Sequence, residues 1–284
     1  MKGTASSCAS VTVVNAMATG KGAAFGVELR LRAEVELDPT GTKVRGEVVG
    51  HRESPKLVEL CVRKVLQKYG KRCGARIRTY SEIPVAVGLS SSSAAANAAV
   101  LATLASLGVE PEWREVLRLG IEASFEAGVT LTGAFDDAAA SLLGCGVITD
   151  NLRRRILRRF ELPPSYRVVI FVPPSKLYTS KVRPSSFRSI ADLVEVAHKQ
   201  ALLGNIFGAM TLNGLLYSHA LNQDHRIALE AISKGAVAAG LTGKGPAVAA
   251  IAHPRDVEEI KEVWGKREGR IIVTCPSRGG ARIE

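Results

Sequence analysis

The chain has 284 residues, of which 46% are apolar and 23% are charged, and this balance excludes intrinsic disorder as a description of the whole chain. Its 38 Lys and Arg against 27 Asp and Glu give a formal net charge of +11, which indicates an Arg-rich surface first, attraction of anionic small substrates second and nucleic-acid binding last. Its five cysteines form no C-x-x-C pair, and its most apolar stretch is too short to span a bilayer, so we expect a cytoplasmic protein with reduced thiols and no membrane partner.

The first half of the chain predicts alternating strands and helices. Residues 11–16 have the composition of a short buried strand, and apolar residues alternate with charged ones over residues 27–37, which is the period of a half-buried strand. The turn at residues 38–41 makes residues 42–49 the predicted hairpin partner of that strand. The other elements predicted in this half are a helix after Ser54-Pro55, a strand at 75–80, helices at 90–107, 111–126 and up to 143, and a strand at 146–150.

The second half predicts a separate unit. Residues 151–164 carry five Arg and two Pro, and we place a domain boundary in this stretch, with domains at 1–155 and 156–284. The elements predicted beyond it are a strand at 166–172, a polar loop, two or three helices over 187–234, a strand at 247–252, a helix at 254–266 and a strand at 270–275. Together the two halves predict an α+β fold with mixed sheets.

The strongest local signal is the run of hydroxyls at residues 83–94, between a predicted strand and a predicted helix. Gly88 permits close approach, and four consecutive serines, Ser90 to Ser93, stand where a helix N-terminus presents unpaired N–H groups. One serine would suffice as a helix cap, so the excess predicts a phosphate site, with a Ser-rich cap in a surface turn as the alternative. The chain has no G-x-x-x-x-G-K-[ST] sequence, so this site is not a P-loop.

A second Gly-rich loop at residues 240–246 precedes a predicted apolar strand. It combines the Thr242 hydroxyl and the Lys244 ammonium group with the flexible positions Gly243 and Gly245. Alone it would be interpreted as a hairpin turn. Beside the serine cluster it becomes a candidate second wall of one phosphate site.

Two acidic groups are placed to act beside such a phosphate. Asp136 and Asp137 open a predicted helix, where they could cap the first turn or supply a general base or a metal ligand. Glu122 and Glu126 share one face of the preceding helix, from which a carboxylate could reach a Mg²⁺ that bridges phosphates. On a later loop, Thr179 and Arg183 suit a carboxylate or phosphate clamp, with an exposed basic loop as the alternative.

Taken in order, three motifs resemble the GHMP kinase superfamily over nearly the whole chain. The first is a strand ending in Asn15 followed by Gly20-Lys21-Gly22, the second is Pro84-x-x-x-Gly88-Leu89-x-Ser91-Ser92, and the third is Leu241-Thr242-Gly243-Lys244-Gly245-Pro246. Within the superfamily, residues 15–26 and 132–138 are similar to the archaeal type of shikimate kinase. The sequence departs from the family pattern at Ser90, where Gly is usual, and at Thr242, where Ser is usual.

The resemblance implies a two-domain GHMP kinase fold, with an N-terminal domain like domain 2 of ribosomal protein S5 and a ferredoxin-like C-terminal domain. It implies that ATP, Mg²⁺ and shikimate meet between them, with transfer of phosphate to the 3-hydroxyl of shikimate. The implied catalytic residues are Asp137, Asp136 and Lys21, and the implied substrate residues are Arg183, Thr179 and Asn15. The implied nucleotide residues are Pro84, Gly88, Leu89, Ser90, Ser91, Ser92, Ser93, Ala94, Thr242, Gly243 and Gly245, and the implied Mg²⁺ ligands are Ser92, Ser93 and Glu126.

Two other functions stay open at this point. The first is phosphorylation of another small metabolite, homoserine or mevalonate, by a kinase of the same superfamily. The second is RNA binding by a basic protein, which is disfavoured because only 5% of residues are aromatic and none cluster with the Arg run. We therefore expect a small-molecule substrate and no nucleic-acid partner.

Overall fold

The structure is a computed structural model that describes residues 1–50, 52–175 and 184–284. Thr179 and Arg183 lie outside the described residues. The first half contains β1 (Lys2–Val14), β2 (Lys21–Asp38), β3 (Val44–Val48), α1 (Lys56–Lys68), β4 (Gly74–Ser81), α2 (Ser91–Ser106), α3 (Trp113–Ala127), α4 (Phe135–Leu143), β5 (Gly146–Asp150) and β6 (Arg155–Phe160). The second half contains β7 (Arg167–Val172), α5 (Ala191–Leu202), α6 (Ile206–Ala220), α7 (Arg226–Ser233), β8 (Ala238–Leu241), β9 (Val248–Ala252), α8 (Val257–Trp264), β10 (Arg270–Thr274) and β11 (Arg282–Ile283).

Within these residues the strands form two sheets. The larger has seven strands in the order β11-β1-β2-β4-β3, with β5 pairing to the other part of β2 and β6 pairing to β5. The smaller has four antiparallel strands in the order β10-β7-β9-β8. No helix among the residues described here is both long and apolar enough to cross a membrane.

Helix α2 occupies the centre of the first half because its residues are small. It packs against β1 and β2 on one side and against α1, α3 and α4 on the others. The backbones approach so closely that a Cβ atom on Gly3 would lie 2.2 Å from the carbonyl oxygen of Ala102. A helix buried on nearly every side is held rigidly, and its N-terminus therefore has a fixed position.

The second half is joined to the first through α6, which packs against both β1 and β8. Asn213 on α6 accepts a hydrogen bond from the Asn15 backbone N–H at 3.0 Å, and the Tyr217 hydroxyl donates to the Asn15 carbonyl oxygen at 3.0 Å. Both side chains are buried, with at most 1% of their surface exposed. These contacts fix the end of β1 relative to the second sheet.

The predicted hairpin between β2 and residues 42–49 is wrong. Strand β3 instead pairs in parallel with β4, with Val44 opposite Ala75, and α1 forms the crossover between them. The reason is that residues 31–38 of β2 already pair with β4 on one edge, while β1 occupies the other edge. A turn signal at residues 38–41 cannot reveal that the adjacent edge is taken by a strand from later in the chain.

The basic stretch at residues 151–164 contains a strand rather than a connection alone. Strand β6 pairs with β5 in the first sheet, so a domain boundary at residue 155 would divide a hairpin. The chain passes from the first sheet to the second between Phe160, the last residue of β6, and Arg167, the first residue of β7. At the C-terminal end, β11 pairs with β1 of the first sheet. We propose that the first domain extends to residue 160 and also includes this C-terminal strand.

Candidate active site

Two loops from opposite halves of the chain touch each other. We call residues 84–93 the serine loop and residues 240–246 the glycine loop. The Thr242 hydroxyl donates to the carbonyl oxygen of Gly88 at 2.9 Å, and the Ala247 N–H donates to the carbonyl oxygen of Val87 at 3.0 Å. Gly88 has φ +93°, and a Cβ atom there would lie 2.1 Å from the Thr242 carbonyl oxygen, so only glycine fits.

The glycine loop is also fixed to β1. The buried Thr242 hydroxyl accepts the Thr12 N–H at 3.0 Å, and the Thr12 hydroxyl accepts the Gly243 N–H at 2.9 Å. The Asn15 side chain donates to the Gly243 carbonyl oxygen at 2.8 Å. One threonine hydroxyl thus connects β1 to the serine loop, which makes the relative position of the two loops rigid.

The serine loop ends where α2 begins. Ser90 precedes the helix in the left-handed conformation, with φ 57° and ψ 33°. Glycine adopts this conformation without steric cost, which explains physically why Gly is usual at this position of the resembling motif. The next three serines occupy the first turn of α2, where the backbone N–H groups have no partners within the helix.

These elements surround a cavity of about 380 Å³. Its polar lining includes Ser90 to Ser93, Gly88, Gly243 and Lys244, together with Asp136 and Asp137. Its apolar lining includes the side chains of Leu31, Val48, Leu57 and Val58. One cavity therefore combines a helix N-terminus of the kind that suits an anion, two carboxyl groups and apolar side chains.

Asp137 lies at the boundary between the cavity and the interior. It is half-buried, and its carboxylate accepts a hydrogen bond from the Ser10 hydroxyl at 3.0 Å. Burial raises the pKa of Asp137, while the hydrogen bond from Ser10, the nearby Ser90 hydroxyl and the charge of Lys244 act in the opposite direction. A partly desolvated carboxylate with donors on one side is suited to accept a proton from a hydroxyl in the cavity.

Asp136 is more deeply buried, with 4% of its surface exposed. The Asn151 amide donates to it at 2.8 Å, and the Asn151 oxygen accepts from the Thr149 hydroxyl at 2.7 Å. Burial, followed by the neighbouring charge of Asp137, raises the pKa of Asp136 to about 7. Both carboxyl groups line the cavity, but Asp136 is buried and bonded by Asn151, whereas Asp137 is half-buried and bonded by Ser10.

Two predicted site residues are not brought to this cavity. The Lys21 ammonium group pairs with Glu195 of α5. The Glu126 carboxylate lies 2.9 Å from the Lys64 ammonium group, and 54% of its side chain is exposed. Neither Lys21 nor Glu126 lines the cavity, so their catalytic and metal-binding roles stay predictions.

Several predicted nucleotide residues shape the loops instead of lining the cavity. The side chains of Leu89, within the serine loop, and Ala94, in the first turn of α2, are buried in the core, and the Gly245 N–H donates to the Thr242 carbonyl oxygen at 2.8 Å. Pro84 also lies outside the cavity lining. These residues support the loop conformations on which the anion site depends.

Sequence reasoning missed four residues that act at the site. Ser10 and Thr12 hold Asp137 and the glycine loop, and Thr149 and Asn151 hold Asp136. The available signal was weak, because β1 also contains Thr4, Ser6 and Ser7, and nothing in the sequence distinguishes Ser10 and Thr12 from them. Only the folded structure shows that the Ser10 hydroxyl contacts the Asp137 carboxylate and that the Thr12 hydroxyl contacts the Gly243 N–H.

Comparison with known proteins identifies the family. A model described as GHMP kinases N terminal domain matches residues 56–145, and one described as GHMP kinases C terminal matches residues 202–270. The chain is 45% identical to the shikimate kinase of Methanosarcina mazei, over 95% of this chain and 92% of the relative. It is 44% identical to the shikimate kinase of Methanothrix thermoacetophila, over 100% of this chain and 96% of the relative. The chain belongs to the GHMP kinase family.

Solved structures of GHMP kinases have the same fold. The homoserine kinase of Cytophaga hutchinsonii matches with a TM-score of 0.75 at 18% identity, over 100% of this chain and 97% of that chain. The mevalonate kinase of Methanococcus jannaschii matches with a TM-score of 0.74 at 14% identity, over 97% of this chain and 98% of that chain. These matches confirm the predicted α+β GHMP kinase fold with two sheets.

Proposed function

We propose that this chain is a shikimate kinase, which transfers the γ-phosphoryl group of ATP to the 3-hydroxyl of shikimate. The observation that carries the proposal is that two relatives at 44–45% identity, which align with almost the whole chain, are named shikimate kinase. The cavity supports the proposal, because the N-terminal serines of α2, which suit an anion, and the Asp137 carboxylate line the same cavity.

The phosphates of ATP would lie against the serine loop. The first turn of α2 offers backbone N–H groups and the positive end of the helix dipole, and Ser91, Ser92 and Ser93 add hydroxyl donors. The adenine base would occupy the apolar end of the same cavity, near Leu31 and Val58. The nucleotide would then extend along the cavity, with its γ-phosphate toward Asp137.

The transfer requires one proton to be accepted. The 3-hydroxyl oxygen of shikimate forms a bond to the γ-phosphorus, the bond from that phosphorus to the bridging oxygen breaks, and ADP leaves with the electron pair. Asp137 would accept the hydroxyl proton, since both Asp136 and Asp137 line the cavity but Asp137 is the more exposed of the two. Asp136 would support Asp137 from the interior.

GHMP kinases use ATP together with Mg²⁺, and the donors of this cavity suit that ion. Mg²⁺ usually binds through few protein oxygens plus substrate phosphates, and the hydroxyls of Ser92 and Ser93, the predicted ligands, line the cavity. When bound, the ion would neutralise charge on the phosphates. Glu126 would join these ligands only by leaving Lys64.

Shikimate has one strong recognition handle, its carboxylate. Thr179 and Arg183, the predicted carboxylate contacts, lie outside the described residues, and we keep them as proposals based on the family resemblance. An Arg fork matches both carboxylate oxygens, which a single ammonium group cannot do. Asn15 lines the cavity, but its side chain already bonds the Gly243 carbonyl and the Met17 N–H, which favours a supporting role.

A panel of acceptors tests the proposal. Purified protein would be incubated with Mg-ATP labelled at the γ-phosphate and with shikimate, homoserine or mevalonate, and transfer of label would be measured for each. We expect kcat/KM for shikimate to exceed that for the other two by at least about 10³-fold, because a site built for one set of polar groups rejects analogues that lack them. Preferential labelling of homoserine or mevalonate would contradict the proposal.

A further inference from the structure

We propose that Lys244 is a catalytic residue of this GHMP kinase, whose ammonium group binds the phosphates of the nucleotide and stabilises the γ-phosphoryl group during its transfer. This inference rests on the proposed phosphotransfer. It concerns a lysine of the glycine loop, which is in contact with the serine loop.

The charges around the cavity require a cation. The ionisable side chains that line it, within the part of the chain that the structure describes, are Glu53, Asp136, Asp137 and Lys244. Three of the four are acidic, and a triphosphate would add several more negative charges. Repulsion of this kind is strong where water is excluded, so Lys244 is the described side chain able to compensate for it.

The backbone around Lys244 is held against the serine loop. A Cβ atom on Gly243 would lie 2.9 Å from the Gly88 carbonyl oxygen, so the two loops are in direct contact. Gly243 donates to Thr12, and Gly245 donates to the Thr242 carbonyl oxygen at 2.8 Å. Lys244 therefore extends from a fixed turn beside the proposed phosphate site, which reduces the entropy lost when it binds an anion.

Lys244 and Asp137 both line the cavity, and the charge of each affects the pKa of the other. Burial lowers the pKa of Lys244, and the negative charge of Asp137 raises it. In return, the charge of Lys244 lowers the pKa of Asp137, which helps to keep that carboxylate able to accept a proton. Phosphate oxygens arriving between them would favour the charged ammonium form further.

The position of Lys21 favours Lys244 as the lysine that binds the phosphates. Lys21 is the lysine that the first family motif suggests for catalysis, yet it pairs with Glu195 and does not line the cavity. The phosphate end is instead served by a lysine from the third motif, adjacent to Gly243 and Gly245. We therefore assign the electrostatic role at the phosphates to Lys244.

Nucleotide binding without any acceptor tests the assignment. The variants are Lys244→Met, which removes the charge at similar length, Lys244→Gln as a second neutral side chain, and Lys244→Arg, which retains the charge. Lys261→Met, which removes an exposed lysine of α8 that pairs with Glu258, controls for the change in net charge. Calorimetry would measure the affinities for Mg-ATP and for AMP, and circular dichroism would confirm that each variant is folded.

We expect both neutral variants to lose about 10–100-fold in Mg-ATP affinity with AMP affinity unchanged, and Lys244→Arg to recover part of the loss. In the shikimate assay, kcat should fall by about 10²–10³-fold while KM for shikimate changes by less than about twofold. Lys261→Met should match the wild type in every readout.

Two results would overturn the assignment. One is wild-type Mg-ATP affinity and kcat in both neutral variants. The other is a raised KM for shikimate with ATP binding intact, which would make Lys244 a contact of the acceptor carboxylate. Because the binding measurements need no acceptor, they remain informative even if shikimate proves not to be the substrate.

Discussion

At the residue scale, Asp136 and Asp137 are neighbours in sequence with different surroundings. Both line the cavity, but Asp137 is half-buried and accepts from Ser10, whereas Asp136 is buried and accepts from Asn151. This difference arises because successive residues of a helix point about 100° apart, so their side chains meet different neighbouring residues. The sequence predicted the pair as a candidate base, but the buried network behind it depends on β5, which no local pattern connects to α4.

The first prediction concerns proton acceptance. Asp137→Asn keeps the shape of the side chain and removes its ability to accept a proton, so kcat should fall by about 10²–10⁴-fold with the affinity for Mg-ATP little changed. Asp136→Asn should cost less, because its oxygen can still accept from Asn151. Steady-state kinetics with shikimate would measure both. A nearly normal Asp137→Asn enzyme together with an inactive Asp136→Asn enzyme would assign the base to Asp136.

The second prediction concerns the effect of pH on stability. Burial and Asp137 raise the pKa of Asp136 to about 7 in the folded protein, from 3.8. Between pH 3.8 and about pH 7, the folded state therefore holds a proton that the unfolded state releases. As a result, the free energy of unfolding falls as the pH rises through this range. This group contributes at most about 1.4 kcal/mol per pH unit to the fall. Asp136→Asn should remove this contribution. The difference in free energy of unfolding, variant minus wild type, should therefore be more positive at pH 8 than at pH 4. Denaturant unfolding at both pH values would measure it, and an unchanged difference between the two proteins would contradict it.

At the element scale, the site depends on contact between the serine loop and the glycine loop. Both loops were predicted from their glycines and hydroxyls, since these residues have specific local uses at a helix N-terminus and in a tight turn. The sequence suggested that the two loops form one site, but the hydrogen bonds through Thr242, Thr12 and Gly88 that connect them could not be predicted. These bonds join β1 to segments about 75 and 230 residues further along the chain. Both hydrogen bonds of the Thr242 side chain are made by its hydroxyl, which serine also has.

The third prediction follows from the hydrogen bonds of Thr242. Thr242→Val keeps the shape but leaves the Thr12 N–H and the Gly88 carbonyl without this partner, at a cost of about 1–3 kcal/mol each. We expect a lower free energy of unfolding and a raised KM for ATP, because the serine loop loses its support. Thr242→Ser retains the hydroxyl and should restore most of both. Equal behaviour of the Val and Ser variants in unfolding and kinetics would show that the hydroxyl is dispensable.

The fourth prediction concerns the serines at the start of α2. Ser92→Ala combined with Ser93→Ala should weaken Mg-ATP binding by about 10-fold or more, because two donors at the helix N-terminus are removed. Ser106→Ala, in the last turn of the same helix, removes a hydroxyl that donates to the Thr103 carbonyl and serves as the matched control. Calorimetry would measure the affinities. Equal Mg-ATP affinity in the double variant and the control would indicate that the serines only cap the helix.

At the scale of the whole molecule, the α+β architecture could be predicted for two reasons. The strand and helix periods are strong over β2 and α1, with β9 marked by its continuous apolar run, and three motifs resemble one family. The arrangement of the strands could not. Strands β6, β8 and β11 were missed: β6 is dominated by arginines, and β8 and β11 have only four and two residues. Strand β3 was assigned to the wrong neighbour. In each case the strand is stabilised by a partner distant in sequence, which local patterns do not reveal.

We propose that the protein transfers the γ-phosphoryl group of ATP to the 3-hydroxyl of shikimate in the cavity beside the serine and glycine loops. The most direct measurement is the analysis by ³¹P–¹H correlation NMR of the products formed from shikimate and Mg-ATP. We expect one new phosphate ester, with phosphorus coupled to the hydrogen on carbon 3, formed in equal amount to ADP. ADP release without a shikimate ester, or an ester on another hydroxyl, would contradict the claim.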